Sequence, residues 1–185
     1  MNLSPHFTFN ELIVTSQSGF RDRQLSGGLG VQAALVTLCR ELLEPIRLRA
    51  GEMIGKTDGE GTPIRVTSGY RHPDLNVAIG GSRTGQHPLG EAADIQVPAF
   101  GKDRDYDEKM YELWAWIRES DLPFGQAILE RKHLGQSWIH ISLGAPLCAR
   151  DPARCRQMLS AFPPNNYVTW GTPTPSFSQV LQGHR

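Results

Sequence analysis

His87-Pro-Leu-Gly-Glu-Ala-Ala-Asp94 is the stretch on which the reading of this chain turns. It sets a histidine and an aspartate seven positions apart, with Gly90 between them to turn the chain back. Ala92 to Val97 reads as a strand, and strand alternation puts Ala92, Asp94 and Gln96 on one face and Ala93 and Ile95 on the other. An aspartate in so apolar a strand is costly unless it is paired or bound to a metal. A second histidine, His140, stands in Ser137-Trp-Ile-His-Ile-Ser142, where Trp138, His140 and Ser142 share a face by the same rule. Two imidazoles and one carboxylate are a common catalytic zinc set, and they leave one coordination position open for water. Each residue alone has a plainer reading: a hydrogen-bonded strand histidine, or a capping or salt-bridged aspartate.

Outward from this stretch, the chain reads as helices first and strands mixed with helices after. Thr8-Phe9-Asn10-Glu11 fits a capping box that opens a short helix. Residues 16 to 30 are polar and glycine-rich, a loop. Val31, Ala34, Leu35, Leu38, Leu42, Leu43 and Ile46 recur at helical spacing, which predicts a helix over Val31 to Arg49, bent or restarted at Pro45. Ile64 to Thr67 is a strand candidate, and Pro73 suits the first turn of a helix that ends near Gly80. Tyr106 to Glu119 is an amphipathic helix. Gln126 to Glu130 and Trp138 to Leu143 form an antiparallel hairpin around a turn at Lys132 to Gln136. A last helix is predicted over Arg150 to Ala161. The expected fold class is α+β, with a small antiparallel sheet carrying the site and helices flanking it. One domain is expected over residues 1–161, followed by an extended or poorly ordered proline-rich tail over 162–185.

Composition narrows the partners. A hydrophobic share of 39% with 21% charged residues suits one globular domain in a chain of 185. Lysine plus arginine equals aspartate plus glutamate at 19 each, so no overall charge points to nucleic acid or a membrane surface. No apolar run approaches the roughly 20 residues that span a bilayer. The start, MNLSPHFTFNEL, lacks the pattern of a secretory signal peptide. Three cysteines argue against a disulfide framework. Cys39 is expected in the core, and Cys148 and Cys155 are placed to bridge in an oxidising compartment, reduced thiols being the cytoplasmic default.

Three segments, Ile64 to Gly81, Gln86 to Ile95 and Ser137 to Ser142, resemble in order and local motif the zinc D-alanyl-D-alanine metallopeptidases, whose fold is shared with hedgehog signalling domains. Within that family the motifs look most like the phage and bacterial branch that processes peptidoglycan peptides. The family signature S-x-H-x-x-G-x-A-x-D, followed by W-x-H, is met by His87, Gly90, Ala92, Asp94, Trp138 and His140. The signature serine is replaced by Gly85, so its substrate hydrogen bond falls to Ser82, Thr84 or Gln86. The resemblance implies one zinc ion per chain on His87, Asp94 and His140. It implies that Arg71, in Ser68-Gly-Tyr-Arg71, holds the substrate's terminal carboxylate or scissile carbonyl, because a guanidinium donates two parallel hydrogen bonds to a carboxylate. A surface salt bridge is the alternative for Arg71.

The implied reaction is hydrolysis of peptide bonds beside D-amino acids in peptidoglycan stem peptides. Zinc would lower the pKa of a water toward about 7 and polarise the carbonyl. A general base is still required. Related enzymes place an acidic residue in E-x-x-H or D-x-x-H before the last ligand, but here that position is Ser137. Two candidates remain: Glu130, which alternation aligns with Gln126 and Ile128, and His133 in the hairpin turn. The expected partner is therefore the stem peptide, with no nucleic acid and no membrane, and a monomer. The location is cytoplasmic, or phage-derived as a virion part or a lysin released to the cell wall. The alternative is a non-catalytic zinc-containing phage structural or binding protein on the same scaffold, which the Ser137 and Gly85 departures favour.

Overall fold

The structure is a computed structural model that describes residues 1–162, 166–171 and 173–182. Helices α1 (Phe9–Leu12), α2 (Arg21–Gln24), α3 (Leu29–Leu38) and α4 (Glu44–Glu52) come first. Strand β1 (Arg65–Ser68), helix α5 (Pro73–Ala78), strand β2 (Ala92–Gln96) and the long helix α6 (Asp103–Glu119) follow. The hairpin β3 (Phe124–Arg131) and β4 (Ser137–Leu143) leads to α7 (Gly144–Arg150), β5 (Gln157–Phe162), β6 (Asn166–Thr169) and α8 (Phe177–Gln182). The six strands form one sheet in the order β1-β2-β4-β3-β5-β6, antiparallel throughout except for the β3–β5 pair. This is an α+β fold. No helix among the described residues is long and apolar enough to cross a membrane.

Local chemistry explains most of these elements. The Thr8 hydroxyl accepts from the Glu11 N–H while the Glu11 carboxylate takes the Thr8 N–H at 2.7 Å, the capping box that starts α1. The helix predicted over Val31 to Arg49 is interrupted by a π-helical turn at Cys39–Leu43. Pro45 lacks an N–H and its ring collides with the carbonyl four residues earlier, and the widened turn relieves both. Cys39 is fully buried there.

Two expectations fail after residue 150. Arg150 to Ala161 is not a helix. Cys148 and Cys155 form a disulfide, Pro152 opens a short 3-10 turn inside the loop they close, and Gln157–Phe162 runs as β5 beside β3. Met158, Ser160 and Phe162 face the helices while Leu159 and Ala161 face away, a period of two rather than 3.6. The sheet also continues past residue 161, since β6 pairs antiparallel with β5. The Trp170 indole N–H donates to the Ser160 hydroxyl at 2.7 Å, Tyr111 of α6 donates to the Pro175 carbonyl, and Val180 of α8 is fully buried. Of the segment expected as an extended tail, the described residues thus include a paired strand and a docked helix.

One face of the sheet carries Ala93, Ile95, Ala127, Leu129, Ile139, Ile141 and Met158, all buried against helices that contribute Leu35, Leu38, Met110, Leu113 and Trp114. The other face stays open and carries the chemistry. Asp107 of α6 locks the hairpin to the helical layer. Its fully buried carboxylate accepts from the Ser137 N–H at 3.2 Å, the Ser137 hydroxyl at 2.6 Å and the Gly135 N–H at 2.9 Å, and pairs with Arg131 at 3.3 Å. Asp107→Ala leaves these donors without an acceptor and is expected to destabilise the fold by about 3 kcal/mol. Urea unfolding at neutral pH checks this.

Candidate metal centre

The register of the sheet brings the site together. Asp94 on β2 stands directly opposite His140 on β4, and both project from the open face. His87 reaches them from the turn before β2. That turn is held by Gly90, whose N–H bonds the His87 carbonyl at 3.1 Å and whose φ is +73°. A Cβ on Gly90 would also lie 2.9 Å from the Val31 carbonyl, so both conformation and space require glycine. The expected grouping of His87, Asp94 and His140 is thus a geometric fact, and all three side chains are buried.

The donor atoms suit a small tetrahedral ion. His87 Nε2 lies 3.2 Å from His140 Nδ1 and 3.3 Å from Asp94 Oδ1, and His140 Nδ1 lies 3.0 Å from Asp94 Oδ1. A tetrahedral zinc with bonds of 2.0–2.1 Å holds its donors roughly 3.3 Å apart. Outer partners aim each ligand. His87 Nδ1 is 2.7 Å from the Gly69 carbonyl, which takes its proton and leaves Nε2 for the ion. Burial raises the Asp94 pKa, but the charges and hydrogen bonds of His87 and His140 outweigh it and hold the carboxyl well below the usual range. Asp94 is therefore a carboxylate at any working pH. Three converging donors with one direction open to the cleft fit zinc in a catalytic rather than a closed structural site.

Around the triad lies a cleft of about 1350 Å³ on the open sheet face. Glu130 lines it. Glu130 stands opposite Trp138, which places it diagonally from His140. Diagonal neighbours across such a pair sit about 7–8 Å apart, enough for a reacting group between them. Burial, then the nearby Asp94 charge, pushes the Glu130 carboxyl up to about 7, against the opposing influence of His140, Arg71 and a hydrogen bond from Trp138. His133 is exposed in the hairpin turn and does not line the cleft. Ser137 points to the helical side, as Asp107 shows. A residue three before a strand ligand lies on the opposite face, and here Asp107 holds Ser137 there, away from the metal donors.

Arg71 and Gln86 both line the cleft, with contacts the sequence did not disclose. Arg71 donates through Nη2 to Asp94 Oδ2, through Nε to the Ser68 hydroxyl at 2.6 Å and through Nη1 to Asn76 at 3.3 Å. Gln86 bonds His140 Nε2 and the Ser142 hydroxyl, each at 2.9 Å. Glu91 is buried and forms a two-bond pair with Arg150. Leu147, Arg150, Arg154, Leu159 and Tyr167, all from the last third of the chain, build one wall of the cleft. Arg154 is anchored there by Gln126 Oε1 at 2.8 Å. Neither arginine of this wall sits in a motif, so the sequence alone does not mark it.

Comparison with known proteins agrees with this geometry. No curated protein matches the chain. The family model described as Peptidase M15 matches residues 5–142, which contain the triad, Arg71, Gln86 and Glu130 but not the wall from α7 to β6. Since the match spans well over half of the 185 residues and encloses all three candidate metal donors, the chain belongs to the peptidase M15 family, the zinc D-Ala-D-Ala metallopeptidases.

Proposed function

We propose that the chain hydrolyses amide bonds next to D-amino acids in peptidoglycan stem peptides, as a carboxypeptidase or an endopeptidase, with one zinc ion on His87, Asp94 and His140. The observation that carries this reading is the shared open face: three metal donors and a carboxylate poised near neutrality line one cleft. When bound, zinc supplies Lewis acidity to a peptide carbonyl and acidity to a water.

Glu130 takes the proton from the attacking water at its carboxylate and returns it to the leaving amine. A carboxyl with a pKa near the working pH suits both transfers. Arg71 steadies Asp94, and the two N–H groups left by its three bonds face the substrate's carbonyl or terminal carboxylate. Arg65, Lys102, Lys132 and Arg154 add positive charge along the cleft against Glu130 and Asp151, while Arg150 is paired with Glu91, and the excess favours a peptide bearing free carboxylates. Ile128, Leu159 and Ala161 give the floor beside Glu130 an apolar strip for short side chains. The Cys148–Cys155 disulfide closes the loop that carries Arg150 and Arg154 and fits work in an oxidising, extracytoplasmic setting.

The test is stereochemical. The zinc-loaded protein is offered stem peptides ending in D-alanyl-D-alanine, their all-L counterparts and purified peptidoglycan. Release of D-alanine or of new amines from the D-containing substrates, with the all-L peptides left intact, is the expected result. Zinc binding with no cleavage of any of these would favour the non-catalytic role.

A further inference from the structure

We infer that Gln86 is a positioning residue for the metal centre: it holds His140 so that Nδ1, and not Nε2, meets the ion. The inference rests on His87, Asp94 and His140 being the metal ligands. It adds to that reading by assigning the group that sets the orientation of the last ligand.

The geometry is a three-bond relay anchored in the backbone. Gly125 and Gln126 together face the single residue Ser142, because the β3–β4 register slips between Phe124 and Ala127. This bulge aims the Gln126 N–H at the Ser142 hydroxyl oxygen, which accepts it at 2.9 Å. The Gln86 amide nitrogen donates to the same oxygen at 2.9 Å. The amide oxygen is thereby turned to His140 Nε2, 2.9 Å away. Nε2 brings the proton to that contact, and Nδ1 keeps its lone pair toward Asp94 Oδ1 and His87 Nε2 at 3.0 and 3.2 Å.

The Gln86 backbone is fixed as well. Its carbonyl accepts from the Leu89 N–H at 3.2 Å and the Glu91 N–H at 2.9 Å, so the turn that presents His87 also presents Gln86. Adjacent residues thus do complementary work: one ligates, and the other orients a ligand 54 positions away. Ser142 is fully buried and Gln86 is held at both ends of its amide, which is how an imidazole is pinned by an outer partner.

The experiment measures zinc affinity by competition with a chelator, with no reference to turnover, for the full chain and two variants. Q86M keeps the length but removes both hydrogen bonds. Q86E keeps the acceptor for His140, and the Ser142 hydroxyl can turn its proton toward the carboxylate. Q86M is expected to loosen zinc by roughly 10–100-fold, the usual cost of losing an outer partner, and Q86E to stay within a few-fold of the parent. Ring-nitrogen NMR of the zinc-loaded parent is expected to show a protected Nε2 proton on His140, exchanging faster in Q86M. Should Q86M fail to fold, Q86N withdraws the amide by one methylene and is expected to loosen zinc in the same direction. Equal zinc affinity in the parent and in Q86M or Q86N, or an equal loss in Q86E and Q86M, would overturn the inference while leaving the metal site standing. A parent chain that binds no zinc would instead end the reading on which it rests.

Discussion

His140→Ala is expected to abolish zinc binding at stoichiometric concentration and, with it, peptide hydrolysis. His140 is the centre of the triad: its Nδ1 lies within 3.2 Å of both other donors, and it is the ligand furthest along the chain from the other two. Losing a ligand removes more affinity than the roughly 10–100-fold lost with an outer-shell partner. The parent protein should also melt at higher temperature as zinc is added, because an ion that binds only the folded chain stabilises it by mass action, about 2.7 kcal/mol at a hundredfold excess over Kd. His140→Ala should show no such rise. The thermal readout separates loss of metal from loss of chemistry, since a variant that still gained stability with zinc but lost hydrolysis would place His140 in catalysis alone.

Glu130→Gln is expected to leave zinc affinity nearly unchanged and to lower kcat by 10²–10⁴, the range for removal of a general acid–base group. Glutamine preserves the size and the hydrogen-bonding oxygen but holds no exchangeable carboxyl proton. The pH dependence follows from the raised pKa. The base form is the deprotonated one, so kcat/KM should climb with pH on its acid limb. In the metal-free chain the carboxyl titrates at about 7, and a dication beside it favours the carboxylate and moves the limb below that value. The stability effect has the opposite sign. Between 4.5 and about 7 the folded chain keeps a proton that the unfolded chain has released. Metal-free stability should therefore fall as pH rises through that window, and Glu130→Gln should flatten the fall. Unfolding at pH 5 and pH 8 with chelator present checks the sign. His133→Ala, in the exposed turn, is expected to leave kcat within twofold.

The contrast between Glu130 and His133 shows what strand alternation makes legible. Gln126, Ile128 and Glu130 share a face by period, and the hairpin turn aligns that face with Trp138 and His140, so a sequence with two neighbouring strands already points Glu130 at the cleft. The same period places Asp94 opposite the core. Gln86 and Arg71 illustrate the limit. Their residue types and motif positions mark them as polar groups near the site, but their partners, His140 at 54 positions and Asp94 at 23, come from the tertiary packing of loops. The burial of Glu91 is hidden from the sequence for the same reason, since it depends on Arg150, 59 residues away. The segment after residue 150 departs from its expected helix for a different reason. Six residues of β5 are too few for the period alone to separate strand from helix, and the strand needs its parallel neighbour β3 to exist. The π-helical turn before Pro45 is a backbone adjustment, visible in the sequence only as a proline inside an apolar stripe.

The most direct test of the central claim is a paired measurement on one purified sample: metal content by mass spectrometry, read beside release of D-alanine or new amines from purified peptidoglycan. One zinc per chain with release, both lost on chelation and restored by zinc, is the predicted result. Release that persists after all metal is removed, or a chain that takes up no metal under non-chelating conditions, would contradict it.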